Sequence, residues 1–474
     1  MTLASPRAGG RVPIGAGSRT GARSDRVRFR RSLTLMLMTL LLPGSAQLAA
    51  GNRRIGRLAI RIWAVLVAAL LLLILVGLTW RSELIRLFTD TSWLLALRIV
   101  LSAAAVGWVV LFVDAWRLGE PLGLTRAHRA AMAGINTALC FVSAGALLLS
   151  AHIVAVQRDF ITSVFGSQTV SQAVKGRYNV LLLGGDSGPT RVGMRPDSIT
   201  LASIDAATGR TVLIGLPRNL MNAPFPAGSA MAKRFPHGFN CATCELNAIN
   251  TWATEHRSVF PSTVKDPGIY ATEQAVKQIT GLKVNYYAMV NLGGFQQLVD
   301  ALGGVTIRVP TPIPIGGIGH AITGYIPAGV HHLDGFQTLW FARSRVATDD
   351  YYRMARQKCV MNAMLHQLSP ETVVLKSQDI AKAGKSILRT DIPASQLATF
   401  IDLALKARSQ PVSTVSLVPP AITTYAPDFA KIRTMVSTAI SKAEGNGPAK
   451  TGRHRLRHTD NTAANDASNL TNAC

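Results

Sequence analysis

Acidic residues are scarce in this chain. Asp and Glu number 25 against 50 Lys and Arg, leaving a formal net charge of +25. That imbalance raises nucleic acid as a partner, but aromatics are also few, at 6%. Neither zinc-finger spacing nor an aromatic-studded RNA motif is present, so no nucleic acid is expected. Cysteine is rarer still, five in 474 residues. The pair in "CATC", Cys241 and Cys244, has no second CxxC to complete a four-cysteine zinc module. A zinc site would have to enlist His237 and Cys359, and no thioredoxin-like pattern supports a redox pair. A local disulfide in an oxidising compartment is therefore read ahead of both alternatives. No Gly-Lys-Ser/Thr follows a glycine-rich turn, which excludes a P-loop. No internal repeat is apparent.

Long apolar runs, in contrast, are plentiful. The chain is 48% apolar, with a mean hydropathy of +0.24. "IWAVLVAALLLLILVGLTW", residues 62–80, carries no charge and is long enough to span a hydrocarbon core. Similar runs follow, so residues 58–158 read as three transmembrane helices at about 60–80, 92–114 and 130–157. Residues 1–57 hold eleven Arg and one Asp, which predicts a disordered, basic cytoplasmic segment. Three crossings then place everything after about residue 158 outside. Residues 33–50, "LTLMLMTLLLPGSAQLAA", are broken by Pro-Gly and read as an interfacial or re-entrant helix. Residues 446–474 have the composition of a flexible polar tail.

Between these ends, residues 176–445 alternate strand-like and helical runs. "YNVLLLGGD" reads as a buried central strand, and "DSITLASID" with "RTVLIGLPRN" as a hairpin. Helices are expected at 270–281, "GGFQQLVDAL", "YYRMARQKCVMNAMLHQL", "LATFIDLALKAR" and "DFAKIRTMVSTAI"; strands at "YYAMVN", "GVTIRVP", "TLWFARSR" and "STVSLVPP". The fold class is α/β: an external domain with a central mixed sheet flanked by helices, preceded by three transmembrane helices.

Charged residues gather at the strand ends, where ligands bind in such sheets. Asp186 closes the first strand, and Arg195 and Asp197 flank Pro196 so as to point the same way. Arg218 follows another strand. "FARSRVATDDYYRMARQ" then puts Arg343 and Arg345 on one strand face. Arg353, Arg356 and Gln357 fall on one helix face, and Asp349 or Asp350 caps that helix. Six guanidiniums converging would repel unless an anion sat among them, and a pyrophosphate matches the guanidinium fork. Asp186 and Asp197 suit a hard cation such as Mg²⁺. The pattern points to phosphoryl transfer, with Asp197, Arg195 and Arg345 as catalytic candidates. The general base stays open between Asp197, Asp350 and none.

At these residues the chain resembles the LytR–CpsA–Psr (LCP) proteins of bacterial cell-wall assembly. The resemblance runs in order through "NVLLLGGDSG", "RPDSITLASID", "LPRN", "CELNAIN", "GFQQLVDALGGV", "LDGFQTLWFARSR" and "DDYYRMARQ". "GMRPDS", "CATC" and "ARQKC" look most like the actinobacterial branch. The resemblance implies transfer of a glycan phosphate from a polyprenyl-pyrophosphate carrier to peptidoglycan, with Mg²⁺ as cofactor, on a domain held outside the cell membrane. It carries over Asp186 and Asp197 as metal ligands, and Arg195, Arg218, Arg343, Arg345, Arg353, Arg356 and Gln357 as pyrophosphate ligands. Two positions depart from the family pattern: Asn219 stands where an Asp often follows Arg218, and Glu245 where a basic residue is common. A hydrolase with water as acceptor, or a membrane-anchored regulator, are the rival readings.

Overall fold

The computed structural model describes residues 17–166, 169–186, 195–317, 321–346, 348–367 and 388–445. The expected tail at 446–474 lies outside them. Contacts divide the chain into two compact units, one within Met1–Phe88 and Ser92–Ala155, the other within Thr89–Thr91 and Val156–Cys474.

The first unit is helical. It comprises α1 (Gly17–Leu41), α2 (Ser45–Ala49), α3 (Arg53–Thr79), α4 (Arg81–Thr89), α5 (Thr91–Leu118) and the start of α6 (Arg126–Val164). Helices α3, α5 and α6 are long and apolar enough to cross a membrane. The arginine-rich segment expected to be disordered is instead helical from Gly17 onward. Its apolar end explains this: Leu35 packs with Ala46 and Ala115, and Met36 with Leu124 and Met132. Tertiary packing of that end sustains a helix that propensity alone would leave marginal. The run 33–50 breaks at Pro43-Gly44, between α1 and α2. Gly44 has φ +96°, and a Cβ there would meet the Gly56 carbonyl at 2.6 Å, so only glycine fits.

The second unit is a six-stranded mixed sheet in the order β10-β3-β2-β1-β4-β9. β1 (Arg177–Asp186) sits at its centre, antiparallel to β2 (Arg195–Asp205) and parallel to β4 (Tyr286–Asn291). β3 (Thr211–Leu216) pairs with β2 as the predicted hairpin and runs parallel to β10 (Ser413–Ser416). β9 (Leu388–Thr390) closes the far edge. Helices α8 (Ala248–Glu255), α9 (Pro267–Thr280) and α14 (Phe429–Ala443) cover one face; short α7 (Ala230–Arg234) lies beside them. Leu181, Leu201, Ile214 and Leu216 are almost fully buried there, each worth roughly 2 kcal/mol of apolar burial. Cys241 and Cys244 form a disulfide, with Cys244 inside this core.

The other face is covered by α12 (Asp350–Gln367), through Ala355, Met361 and Leu365, and by α13 (Leu397–Arg408), whose Phe400 ring meets Tyr178 of β1 and Tyr286 of β4. α12 also closes a second core with α10 (Leu292–Leu302), α11 (Gly335–Arg343) and the small sheets β5–β8 and β6–β7 (Val305–Val309, Gly329–Leu333; Ile313–Ile315, Gly324–Ile326). Wedged between two cores, α12 has its first turns fixed at the end of the main sheet.

One element differs in kind from the sequence reading. "TLWFARSR" is the last part of helix α11 followed by a loop, not a strand. The apolar triplet Leu339-Trp340-Phe341 resembles a buried strand. However, Asp334 and Gln337 form a capping box that starts a helix there.

Candidate functional site

The site begins with an irregularity in the central ladder. Gly184 pairs with Ser198 and Gly185 with Pro196, so the register skips Asp197. Such bulges bend a strand and re-aim a side chain. Arg195 and Asp197 therefore do not share partners as simple alternation predicts. Arg195 reaches Glu245 (Nη2 to Oε2, 3.2 Å). Asp197 turns to Arg218 (Nη1 to Oδ1, 2.6 Å) and Arg353 (Nη1 to Oδ1, 3.6 Å).

The adjacent aspartates at the start of α12 divide two tasks. Asp349 accepts hydrogen bonds from the Tyr351 and Tyr352 amides and so caps the helix. Asp350 is left to face three guanidiniums: Arg353 at 3.1 Å, Arg218 at 3.2 Å and Arg345 at 4.0 Å. Arg353 also donates to the Asp197 carbonyl at 2.8 Å. Arg218, Arg345 and Arg353 thus meet Asp197 and Asp350 in one cluster, which leaves one positive charge uncompensated.

Burial decides the electrostatics. The Arg353 side chain is only 2% exposed, and burial pushes its guanidinium below its ordinary value against the pull of Asp350 and Asp197. Burial alone would raise the Asp197 carboxyl, but Arg353 and Arg218 outweigh it and hold Asp197 low. Arg218 is partly desolvated too, yet Asp350 and Asp197 lift it above its usual value. Several buried polar atoms here have no hydrogen-bond partner among the described residues: Arg353 Nε, Asn219 Oδ1 and both amide atoms of Asn247. Native structures satisfy most buried polar groups, so such a concentration marks a place shaped for something other than stability.

Besides Arg195, which pairs with Glu245, three more of the predicted residues stand apart from the cluster. Arg343 ends α11, is exposed, and stacks over Trp340 with its guanidinium carbon 4.8 Å from the ring centroid. Arg356 is buried and donates to the carbonyls of Phe341 (2.7 Å) and Ser344. Gln357 donates to Ala342 O at 3.4 Å. Arg356 and Gln357 thus satisfy the carbonyls left open at the C-terminus of α11, just before Arg345. Burial, with Arg353 nearby, pushes the Arg356 guanidinium down to about 10. Asp186 ends β1 opposite Arg195 in the ladder, and its side chain lies outside the described residues.

Sequence reasoning missed Glu245 and Asn247 as members of this neighbourhood. The backbone brings them in: Leu246 N donates to Leu220 O at 2.9 Å and Asn247 N to Arg218 O at 3.0 Å. The only signal was the departure at Glu245 from a familiar pattern.

A LytR_cpsA_psr family model matches residues 151–436, more than half of the chain. The polyisoprenyl-teichoic acid–peptidoglycan teichoic acid transferase TagU of Oceanobacillus iheyensis is 26% identical over 238 residues, covering 50% of this chain and 65% of that protein. The cell wall biosynthesis protein LcpA of Corynebacterium glutamicum is 24% identical over 240 residues, 46% of this chain and 45% of that protein. The match thus spans about half to two thirds of these relatives' lengths. Among solved structures, B. subtilis TagV aligns with a TM-score of 0.42 at 19% identity, covering 58% of this chain and 100% of that one. The chain belongs to the LytR–CpsA–Psr family.

Proposed function

We propose that this protein is a cell-wall glycopolymer transferase that moves a glycan phosphate from a polyprenyl-pyrophosphate carrier to peptidoglycan. The observation that carries this reading is the meeting of Arg218, Arg345 and Arg353 around Asp350 and Asp197 at the end of the central sheet. Guanidinium forks bind phosphoryl oxygens bidentately, and in phosphoryl transfer positioning and charge stabilisation supply most of the catalysis. The name of TagU points to the same class of reaction, and that of LcpA to cell wall biosynthesis. Arg345 is a third exposed and so is the arginine an incoming phosphate meets first. Arg353 and Arg218 form the floor, and Arg356 with Gln357 holds the loop that presents Arg345.

Mg²⁺ belongs to this proposal as the expected cofactor, with Asp186 and Asp197, on neighbouring strands β1 and β2, as its proposed ligands, because carboxylates together with phosphate oxygens suit that ion. Bound there, it would offset the charge a diphosphate adds to a cluster carrying only one uncompensated positive charge.

The bilayer is the second partner. The N-terminal arginines and the α5–α6 connection lie at one end of the helical unit: Ser32 Oγ donates to Gly119 O at 2.8 Å, and Arg28 to Gly123 O at 3.5 Å. Arg117, Arg126 and Arg129 flank that connection. Basic segments stay cytoplasmic, so the far end of α6, and the domain after it, lies outside the cell.

The test uses the full chain in detergent with a polyprenyl-pyrophosphate saccharide labelled in its sugar phosphate, Mg²⁺ and peptidoglycan fragments. Label on peptidoglycan, reduced about 10²-fold or more by Arg345→Ala, supports the proposal. Label released only as soluble sugar phosphate replaces it with a hydrolase.

A further inference from the structure

We propose that Glu245 is the general base that takes the proton of the acceptor hydroxyl; this rests on the transferase reading above. Among the described residues, three carboxylates pair with the arginines of the site: Asp197, Asp350 and Glu245. Asp350 Oδ1 lies within 4.0 Å of three guanidiniums and its side chain is 15% exposed. Asp197 Oδ1 is shared between Arg218 and Arg353, which hold its carboxyl low. A carboxylate clamped in this way is a weak base, because each guanidinium loses its partner as a proton arrives.

Glu245 differs in how many guanidiniums hold it, since its exposure of 34% matches the 35% of Asp197. It has one guanidinium partner, Arg195, through Oε2. Its Oε1 accepts no hydrogen bond among the described residues, and its side chain is 34% exposed. It is also held firmly in place. Met221 and Glu245 form an antiparallel bridge, and the following amides bond back to Leu220 and Arg218. That fixes Glu245 close enough to Arg218 to raise the latter's basicity. Asn219, which follows Arg218, carries no charge, so it offers no rival carboxylate. The site is thus divided: Asp197 and Asp350 organise the arginines assigned to the diphosphate, and Glu245, paired with Arg195, is the carboxylate least tied up in doing so.

In the step this assigns, the acceptor oxygen forms a bond to the glycan-side phosphorus, and its proton passes to Glu245 Oε1. The bridging P–O bond breaks, and its electron pair leaves with polyprenyl monophosphate. Arg195, the partner on Oε2, keeps the carboxylate turned toward the acceptor.

The experiment measures transfer by the full chain in detergent over a range of donor concentrations and pH, for wild type, Glu245→Gln, Glu245→Asp and Glu245→Ala. The charged groups facing Glu245 are Arg195 from β2 and Arg218 from the end of β3. Glu245→Gln should lower kcat by about 10²–10⁴-fold with little change in donor KM, and the rise of rate with pH should disappear. Glu245→Asp should retain part of the activity, and added formate should partly restore Glu245→Ala. Wild-type kcat in Glu245→Gln overturns the proposal. So does a loss confined to donor KM with an unchanged pH profile, which would make Glu245 only a restraint on Arg195. If the wild type itself places no label on peptidoglycan, the transferase reading fails and Glu245 as its base fails with it.

Discussion

Asp350→Asn should destabilise the α/β domain, and pyrophosphate should mend the damage. Among the described residues, Asp350 is the carboxylate within 4.0 Å of all three cluster arginines, at 3.1, 3.2 and 4.0 Å. A pair of unit charges at about 4 Å, with an effective dielectric near 20, interacts by roughly 4 kcal/mol before desolvation. Measured losses on removing one partner of a buried pair run to about 3–5 kcal/mol. Arg218 and Arg345 are 20% and 33% exposed, so water screens part of the effect and about 3 kcal/mol is the better figure. For a domain of this size that is a fall in Tm of roughly 6–12 °C. Without the carboxylate, three guanidiniums face Asp197 alone, and a diphosphate binds them more tightly than in the wild type. At a concentration about 100-fold above Kd it returns roughly 2.7 kcal/mol. The assay is a melt of the full chain in detergent, with and without inorganic pyrophosphate. The reasoning is refuted if Asp350→Asn melts with the wild type, or if pyrophosphate raises both by the same amount.

Three further outcomes follow from the same structure. Arg356→Gln should cost about 2–4 kcal/mol, because two charge-assisted hydrogen bonds to Phe341 and Ser344 are lost; donor KM should rise as Arg345 loses its support, measured by melting and by transfer kinetics. Burial, with Asp391 and Asp266 nearby, pushes the Glu273 carboxyl up to about 8. Its contribution is therefore complete below about pH 4.5 and lost as pH rises toward 8, so the wild type should be about 1–3 kcal/mol less stable at pH 8 than at pH 5, whereas Glu273→Gln should show a flat profile in melts across that range. Replacing Cys241 and Cys244 by Ser should lower stability by at most about 2 kcal/mol, since the loop they close is very short; a larger loss in a chemical-denaturation curve would mean the bridge does more than limit the unfolded chain.

Much of the domain was legible because its elements keep one period over many residues. β1, the β2–β3 hairpin, β4, β5, α9, α10, α12, α13, β10 and α14 all appear where apolar periodicity put them. α11 did not, because Leu339-Trp340-Phe341 hides its helical period, although the Asp334–Gln337 capping box was there to be read. The site was legible in membership more than in geometry. Arg218, Arg345, Arg353 and Asp197 converge, yet the skipped register that aims Asp197 leaves no mark in composition. The separate duties of Asp349 and Asp350, one residue apart, follow from where α12 begins, which periodicity fixes only loosely. Arg356 looked like a phosphate ligand because its spacing from Arg353 places both on one helix face. That face meets two surroundings, the cluster at Arg353 and the end of α11 at Arg356. Glu245 belongs to the site through a backbone bridge between segments about 25 residues apart, which no local pattern announces.

Whether Arg218, Arg345 and Arg353 form the proposed diphosphate-binding site is decided by calorimetric titration of the full chain with a polyprenyl methylene-diphosphonate saccharide, a donor analogue that cannot be cleaved. Binding should be saturable, weaken at least about tenfold in Arg345→Ala and be little changed in Arg343→Ala. Equal affinity in wild type and Arg345→Ala would rule the site out.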